Sequence, residues 1–253
     1  MNEILKMCDV SSHQGTDKDS GVVGIDFEVM KAQDVDGVAI RATVGGLYTD
    51  PMFFLNWERA GAAGLPRTAY HVTKPGQPVA SQVRRFKDVV GDRRPDFKKI
   101  GWVNDCEVFD NKTKSEITPI IWGVSCELQD HAGSISPLYT RFSYFNAATN
   151  PSINWKRFPL WVARYTLASA PWFANEPSYL RPREGEWETW DAWQWSADGN
   201  NQGKKHGCLS PHVDLNRVRS WIFEDIGDPD PPKEEPCIIN LPMVIAGKYK
   251  KID

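Results

Sequence analysis

Residues 37–45 read GVAIRATVG, a nearly continuous run of β-branched and apolar residues. A strand with one wet face alternates apolar and polar residues. An unbroken apolar run marks a strand covered on both faces, as in parallel α/β sheets. Arg41 interrupts the run and needs a carboxylate or carbonyl partner if it points inward. Placed beside acids, it would lower the proton affinity of one of them.

The pattern around this run alternates. ILKMCDV (4–10) is strand-like, and a short helix is expected near 26–33. DP at 50–51 opens a helix to about Ala63, with Asp50 as N-cap, Pro51 in the first helical position and Gly64 ending it. Further strands are expected at 68–72, 99–108, 137–142, 158–165, 189–195 and 213–216. Helices are expected at Val79 to Val90, at 115–130, and at 217–224 with Asn216 as its cap. Eight strands with helices between most of the early ones favour a closed barrel over an open sheet. The expected fold is α/β, an irregular TIM-like barrel with eight strands and fewer than eight helices, because the later connections lack helical periodicity. Residues 1–226 would form the barrel, 227–236 a stiff proline-rich linker, and 237–253 an extension or the stub of a further domain.

At 253 residues the chain is long enough for one large core. A formal net charge of −3 gives no nucleic-acid footprint and no polybasic membrane patch. No apolar run approaches the ~20 residues that span a bilayer, and the N-terminus lacks a signal-peptide layout. Five widely spaced cysteines without a CxxC pair argue against a disulfide scaffold or zinc site, and no cofactor is expected. Cys8 and Cys106 read as small core residues pointing away from any cleft. GxSxG, Walker, HExxH and dinucleotide motifs are absent, which weakens esterase, nucleotide and metalloprotease readings.

Four acids sit where strand-like runs stop: Asp9, Asp105, Glu107 and Asp214. An ionised carboxylate is expensive in a core, so several at strand ends suggest a shared polar site. Asp105 and Glu107 are two apart, so in a strand they face one space roughly 6–7 Å apart. Their mutual repulsion would raise one pKa and keep that group as a proton donor. Tyr70 and His71 close another strand, where either could donate to a substrate, though a satisfied core histidine fits His71 equally. The eleven tryptophans are the compositional outlier. In WDAWQW (190–195), Trp190 and Trp193 cannot share a strand face, so at least one ring is expected in a cleft or at the surface.

Taken in order, DVSSHQG (9–15), AIRATVG (39–45), TDPMF (49–53), AYH (69–71), DCE (105–107), LWVARY (160–165), WQWS (193–196) and VDLN (213–216) resemble glycoside hydrolase family 25 over about residues 5–222. These are lysozymes that cut the β-1,4 bond between N-acetylmuramic acid and N-acetylglucosamine. The resemblance implies a groove at the strand carboxyl ends and bacterial peptidoglycan as substrate. It implies Glu107 as general acid, Asp105 as the partner steering the substrate acetamido group, and Asp9 and Asp214 as the remaining cleft carboxylates. Arg41, Tyr70, His71, Trp161, Tyr165, Trp193, Gln194 and Trp195 are the expected substrate contacts. An acid–x–acid pair also resembles the substrate-assisted chitinases, which favours a retaining, substrate-assisted route.

The expected setting is a phage lysin or virion-associated enzyme, made in a host cytoplasm and delivered to the wall by a holin or a virion tail. The rival readings are a catalytically silent glycan-binding module and a chitinase-like hydrolase. Departures from the family pattern fall at 197–213, which is long and carries KKH at 204–206, at Arg67–Thr68, and at PREGEWE (182–188).

Overall fold

The computed structural model describes residues 4–16, 24–165, 187–197 and 201–223. The strands are β1 Ile4–Val10, β2 Gly37–Val44, β3 Tyr48–Thr49, β4 Arg67–Val72, β5 Val103–Cys106, β6 Leu138–Thr140, β7 Leu160–Ala163, β8 Ala192–Ser196 and β9 Asp214–Arg219. The helices are α1 Phe27–Lys31, α2 Phe53–Ala62, α3 Val79–Val90, α4 Lys114–Ala132 and α5 Phe142–Ala148. The sheet runs β1-β9-β8-β7-β6-β5-β4-β2, and β1 pairs again with β2, which closes eight strands into a barrel. β3 is an antiparallel spur on β2. This is the irregular α/β barrel expected from the sequence. The linker at 227–236 and the extension at 237–253 lie outside the described residues.

Strand alternation divides the apolar side chains into two cores. Cys8, Val10, Val38, Ile40, Trp102, Leu138, Leu160 and Val162 point outward into a layer shared with Met30, Phe53, Trp57, Phe86, Ile117 and Phe145 of the helices and with Phe158. Met7, Ala39, Val103, Tyr139, Trp161, Ala192 and Val218 point inward and fill the barrel. β2 shows why its run is nearly all apolar: Val38, Ile40 and Ala42 face the helices, while Ala39 lies inside. Arg41 also faces inward, so the polar interruption in the run marks where the barrel interior turns wet.

Four local expectations are corrected. The segment after Asn216 is not a helix: β9 continues to Arg219 and pairs antiparallel with β1 from Ile4↔Arg219 to Asp9↔Asp214. It also pairs antiparallel with β8, so closing the ring outweighs a weak local helix preference. Asp50 does not cap α2; Met52 does, and Asp50 Oδ1 accepts the Met52 N–H at 2.9 Å just before the helix. β5 stops at Cys106, which leaves Glu107 just past the strand. The connection from β6 to β7 does carry helical periodicity, because FSYFNAA forms α5, with Tyr144, Phe145 and Ala148 buried at helical spacing. Gly64 does end α2, with φ +69, a conformation only glycine adopts freely.

Candidate active site

All eight strands of the barrel supply a cleft of about 320 Å³ at the carboxyl end of the parallel set, lined by Asp9, Asp105, Glu107 and Asp214 together with Arg41, Tyr70, Tyr139, Trp161, Tyr165 and Gln194. Strand register explains the convergence. Tyr70 is level with Arg41 on one side, and Asp105, Tyr139 and Trp161 are consecutive neighbours across β5, β6 and β7. Asp9 ends the inward face of β1 and lies directly opposite Asp214 on β9. Because β9 runs against the others, its first residue reaches the rim where the other strands finish.

The four acids have distinct surroundings. Asp9 Oδ2 accepts from Asn216 Nδ2 at 2.8 Å and from Gln194 Nε2 at 2.9 Å. Burial nevertheless raises its pKa to about 6, against the lowering effect of those bonds. Asp105 is held well above the usual carboxylate range by burial first and by the charges of Glu107 and Asp9 second. Its Oδ1 is buried without a hydrogen-bond partner. Glu107 is more accessible, and its Oε2 accepts from Arg141 Nη2 at 3.0 Å. Asp214 Oδ2 receives Gln14 Nε2 at 3.4 Å.

The supporting residues fix these positions. Arg41 faces the cleft, and its Nε donates at 2.8 Å to Asp50, whose side chain is fully buried. Asp50 also takes the Ser12 N–H at 3.1 Å and so ties the DVSSHQG loop to β2. Asn216 bridges three elements, donating to Asp9 and Met7 O and accepting from Trp161 Nε1 at 2.8 Å. Tyr139 and Tyr165 both donate to Gln194 Oε1, at 2.7 and 3.0 Å, which turns the Gln194 amide N–H toward Asp9. Sequence reasoning missed Asn216, Tyr139, Gln14 and Arg141. Asn216 was legible as the i+2 neighbour of Asp214 once that segment is read as a strand. No local signal singles out Arg141.

Three expected contacts do not reach the cleft. His71 points outward: its ring packs edge-on to Phe86 with centroids 6.0 Å apart. Gln82 Nε2 donates to the carbonyls of Lys74 and Gln77, so Gln82 Oε1 is an acceptor and His71 Nε2 must donate to it. Nδ1 then accepts from Thr43 at 2.7 Å. Trp193 and Trp195 also face the helix-side core, and Trp193 Nε1 donates to Arg164 O. Strand neighbours take opposite faces, so seating Tyr70 and Gln194 inside necessarily sends His71, Trp193 and Trp195 outside. Trp190 precedes β8 and is buried beside Trp193, with ring centroids 6.2 Å apart, so the expected wet ring of this run does not exist. Cys8 and Cys106 point away from the cleft into the outer core, with thiol pKa values pushed up by burial. The KKH stretch forms a short 3-10 turn, and the Asp26 N–H donates to the following Gly207 O. Residues 182–186 of the PREGEWE stretch lie outside the described residues.

Two stability predictions follow from these assignments. Asp9 has a raised pKa in the fold, so folding favours its protonated form, and its contribution is lost as pH climbs from about 4 through about 6. Asp9→Asn keeps an acceptor for Asn216 and Gln194 but carries no charge. It is expected to gain roughly 1–3 kcal/mol at pH 7, several degrees in melting temperature, with the gain vanishing below pH 4 and with turnover reduced. Thermal melts across that pH range check this.

His71 behaves oppositely: burial lowers its pKa to about 4, so its contribution is full above 6.5 and is lost as pH falls toward 4. His71→Leu is expected to cost roughly 1–3 kcal/mol at pH 7, by orphaning Thr43 and Gln82, while leaving kcat unchanged. A large kcat loss at preserved stability would return His71 to the site.

The chain is similar to known proteins in both sequence and fold. The profile of Glycosyl hydrolases family 25 matches residues 8–204. The protein YegX of Escherichia coli O6:H1 is 27% identical over 197 residues, 78% of this chain and 64% of its own length. Lysozyme M1 of Streptomyces globisporus is 26% identical over 220 residues, 83% of this chain and 68% of its own. The chain thus spans a little under two thirds of the YegX sequence it matches, at 64%. A bacterial lysozyme structure from Streptomyces coelicolor shares the fold, with TM-score 0.66 at 24% identity, covering 87% of this chain and 97% of the other. With a profile match over most of the barrel, and a closed barrel whose acids meet at one rim, the chain belongs to glycosyl hydrolases family 25.

Proposed function

We propose that the protein is a peptidoglycan muramidase, hydrolysing the β-1,4 bond between N-acetylmuramic acid and N-acetylglucosamine. The observation that carries this reading is the convergence of Asp9, Asp105, Glu107 and Asp214 on one cleft, with the proton affinity of buried Asp105 raised beside the more accessible Glu107. Asymmetric environments of that kind separate a proton store from a proton carrier. Family membership and the likeness to Lysozyme M1 support the choice of substrate.

In the proposed route Glu107 protonates the leaving glycosidic oxygen as the bond to the anomeric carbon breaks. The substrate's own acetamido oxygen closes on that carbon, and Asp105 holds the acetamido N–H. Water then opens the ring intermediate and returns its proton to Glu107, with net retention of configuration. Asp9 and Asp214 stabilise the positive charge that develops on the sugar.

The test is digestion of purified peptidoglycan followed by borohydride reduction and muropeptide mass analysis. Reduced muramic acid at the new ends supports the reading. Reduced glucosamine would make the enzyme a glucosaminidase, and cleavage of chitin lacking lactyl groups would favour the chitinase-like alternative. Wall binding with no new ends would favour a silent glycan-binding module.

A further inference from the structure

An oxygen already accepting from a guanidinium is not free to face a glycosidic oxygen, so the resting position of Arg141 conflicts with the role proposed for Glu107. Arg141 Nη2 lies 3.0 Å from Glu107 Oε2, and the two side chains are 48% and 31% exposed. The pair therefore sits at the cleft mouth, unlike the buried Asp105. The Arg141 carbonyl accepts the Phe145 N–H at the start of α5, so its backbone is fixed and only the long side chain is free to swing. A half-exposed ion pair is weak and exchanges easily for another carboxylate. Arginine binds carboxylates through a planar fork of donors.

The surrounding field leaves an incoming anion little choice. Asp9 and Asp214 face it from within the cleft as carboxylates. Among the described residues, Arg41 and Arg141 act on Asp105; Arg41 is committed to the fully buried Asp50, whereas Arg141 is half-exposed. We propose that Arg141 is a specificity-determining latch: it occupies Glu107 at rest and is drawn off by a carboxylate of the muramyl unit, which frees Glu107 to act. The inference rests on the muramidase reading and deepens it, because it matches the site to glycan that carries carboxylates. Those carboxylates belong to the lactyl group in peptide-free strands and to the stem peptide in intact wall.

The experiment compares peptide-free glycan strands, the same strands with lactyl carboxylates converted to methylamides, and intact peptidoglycan with and without the same amidation. Release of reduced muramic acid is the readout. Wild type is expected to cleave carboxylate-bearing substrate about tenfold faster than its amidated counterpart, as one charge-assisted contact implies. Arg141→Gln should cleave both at similar rates, and Arg141→Lys should keep most of the preference. A preference confined to one pair of substrates identifies the lactyl or the peptide carboxylate as the trigger. A preference retained by Arg141→Gln, or absent from wild type while muramic acid ends still appear, overturns the latch alone. No muramic acid ends from any substrate overturns the muramidase reading and the latch with it.

Discussion

Replacing Glu107 by Gln is expected to lower peptidoglycan hydrolysis by about 10²–10⁴-fold, the usual contribution of a positioned general acid. The amide keeps the shape of the side chain but has no proton to give the leaving oxygen. The fold should be nearly indifferent, because the change removes only a half-exposed ion pair with Arg141, a contact worth at most about 1 kcal/mol. Reducing-end release and a melting curve on the same preparation check both halves. An aryl glycoside with a low-pKa leaving group sharpens the test. It needs no protonation, so Glu107→Gln should form the ring intermediate from it at close to the wild-type rate. Full activity of the variant on wall would remove Glu107 from the acid role.

Asp105→Asn is expected to cost about 10²–10³-fold in kcat, comparable to losing one preorganised group facing the developing charge. The amide is close in shape but can neither take up nor release a proton at that position. Stability should move the other way. Burial, followed by Glu107 and Asp9, raises the Asp105 pKa, so the folded state favours the protonated form and stability is lost as pH rises from the ordinary carboxylate range. The variant lacks that loss, so its melting temperature should exceed wild type by a margin that grows with pH. The double variant Glu107→Gln with Asp105→Asn should be no worse than the poorer single variant, since the two residues act as one unit. Additive losses would mean that they serve separate steps.

Much of the site was legible because carboxylates are costly to bury. Asp9, Asp105, Glu107 and Asp214 stand out against apolar flanks, and all four line the cleft. Arg41 stood out for the same reason, and its need for a carboxylate is met by Asp50, which local rules had assigned to capping a helix. The residues that orient the acids were harder to read. Asn216 looks like a helix cap until β9 is seen to pair with β1 and β8. Arg141 lies 34 positions from its partner, and nothing in the stretch around it announces that contact.

Composition and alternation by themselves determined that this chain forms a two-layered barrel and which acids it cannot hide, since both follow from what water does to apolar and charged groups. They also determined that Tyr70 and His71, or Gln194 and its flanking tryptophans, must part company across a strand. Tertiary structure alone decided which member of each pair faces inward, because period two fixes the difference between neighbours but not its sign. It also decided the direction of β9, and with it the rim on which Asp214 emerges. The placement of Arg141 on Glu107 was decided there too, because ion pairing depends on distance in space and strands far apart in sequence set that distance.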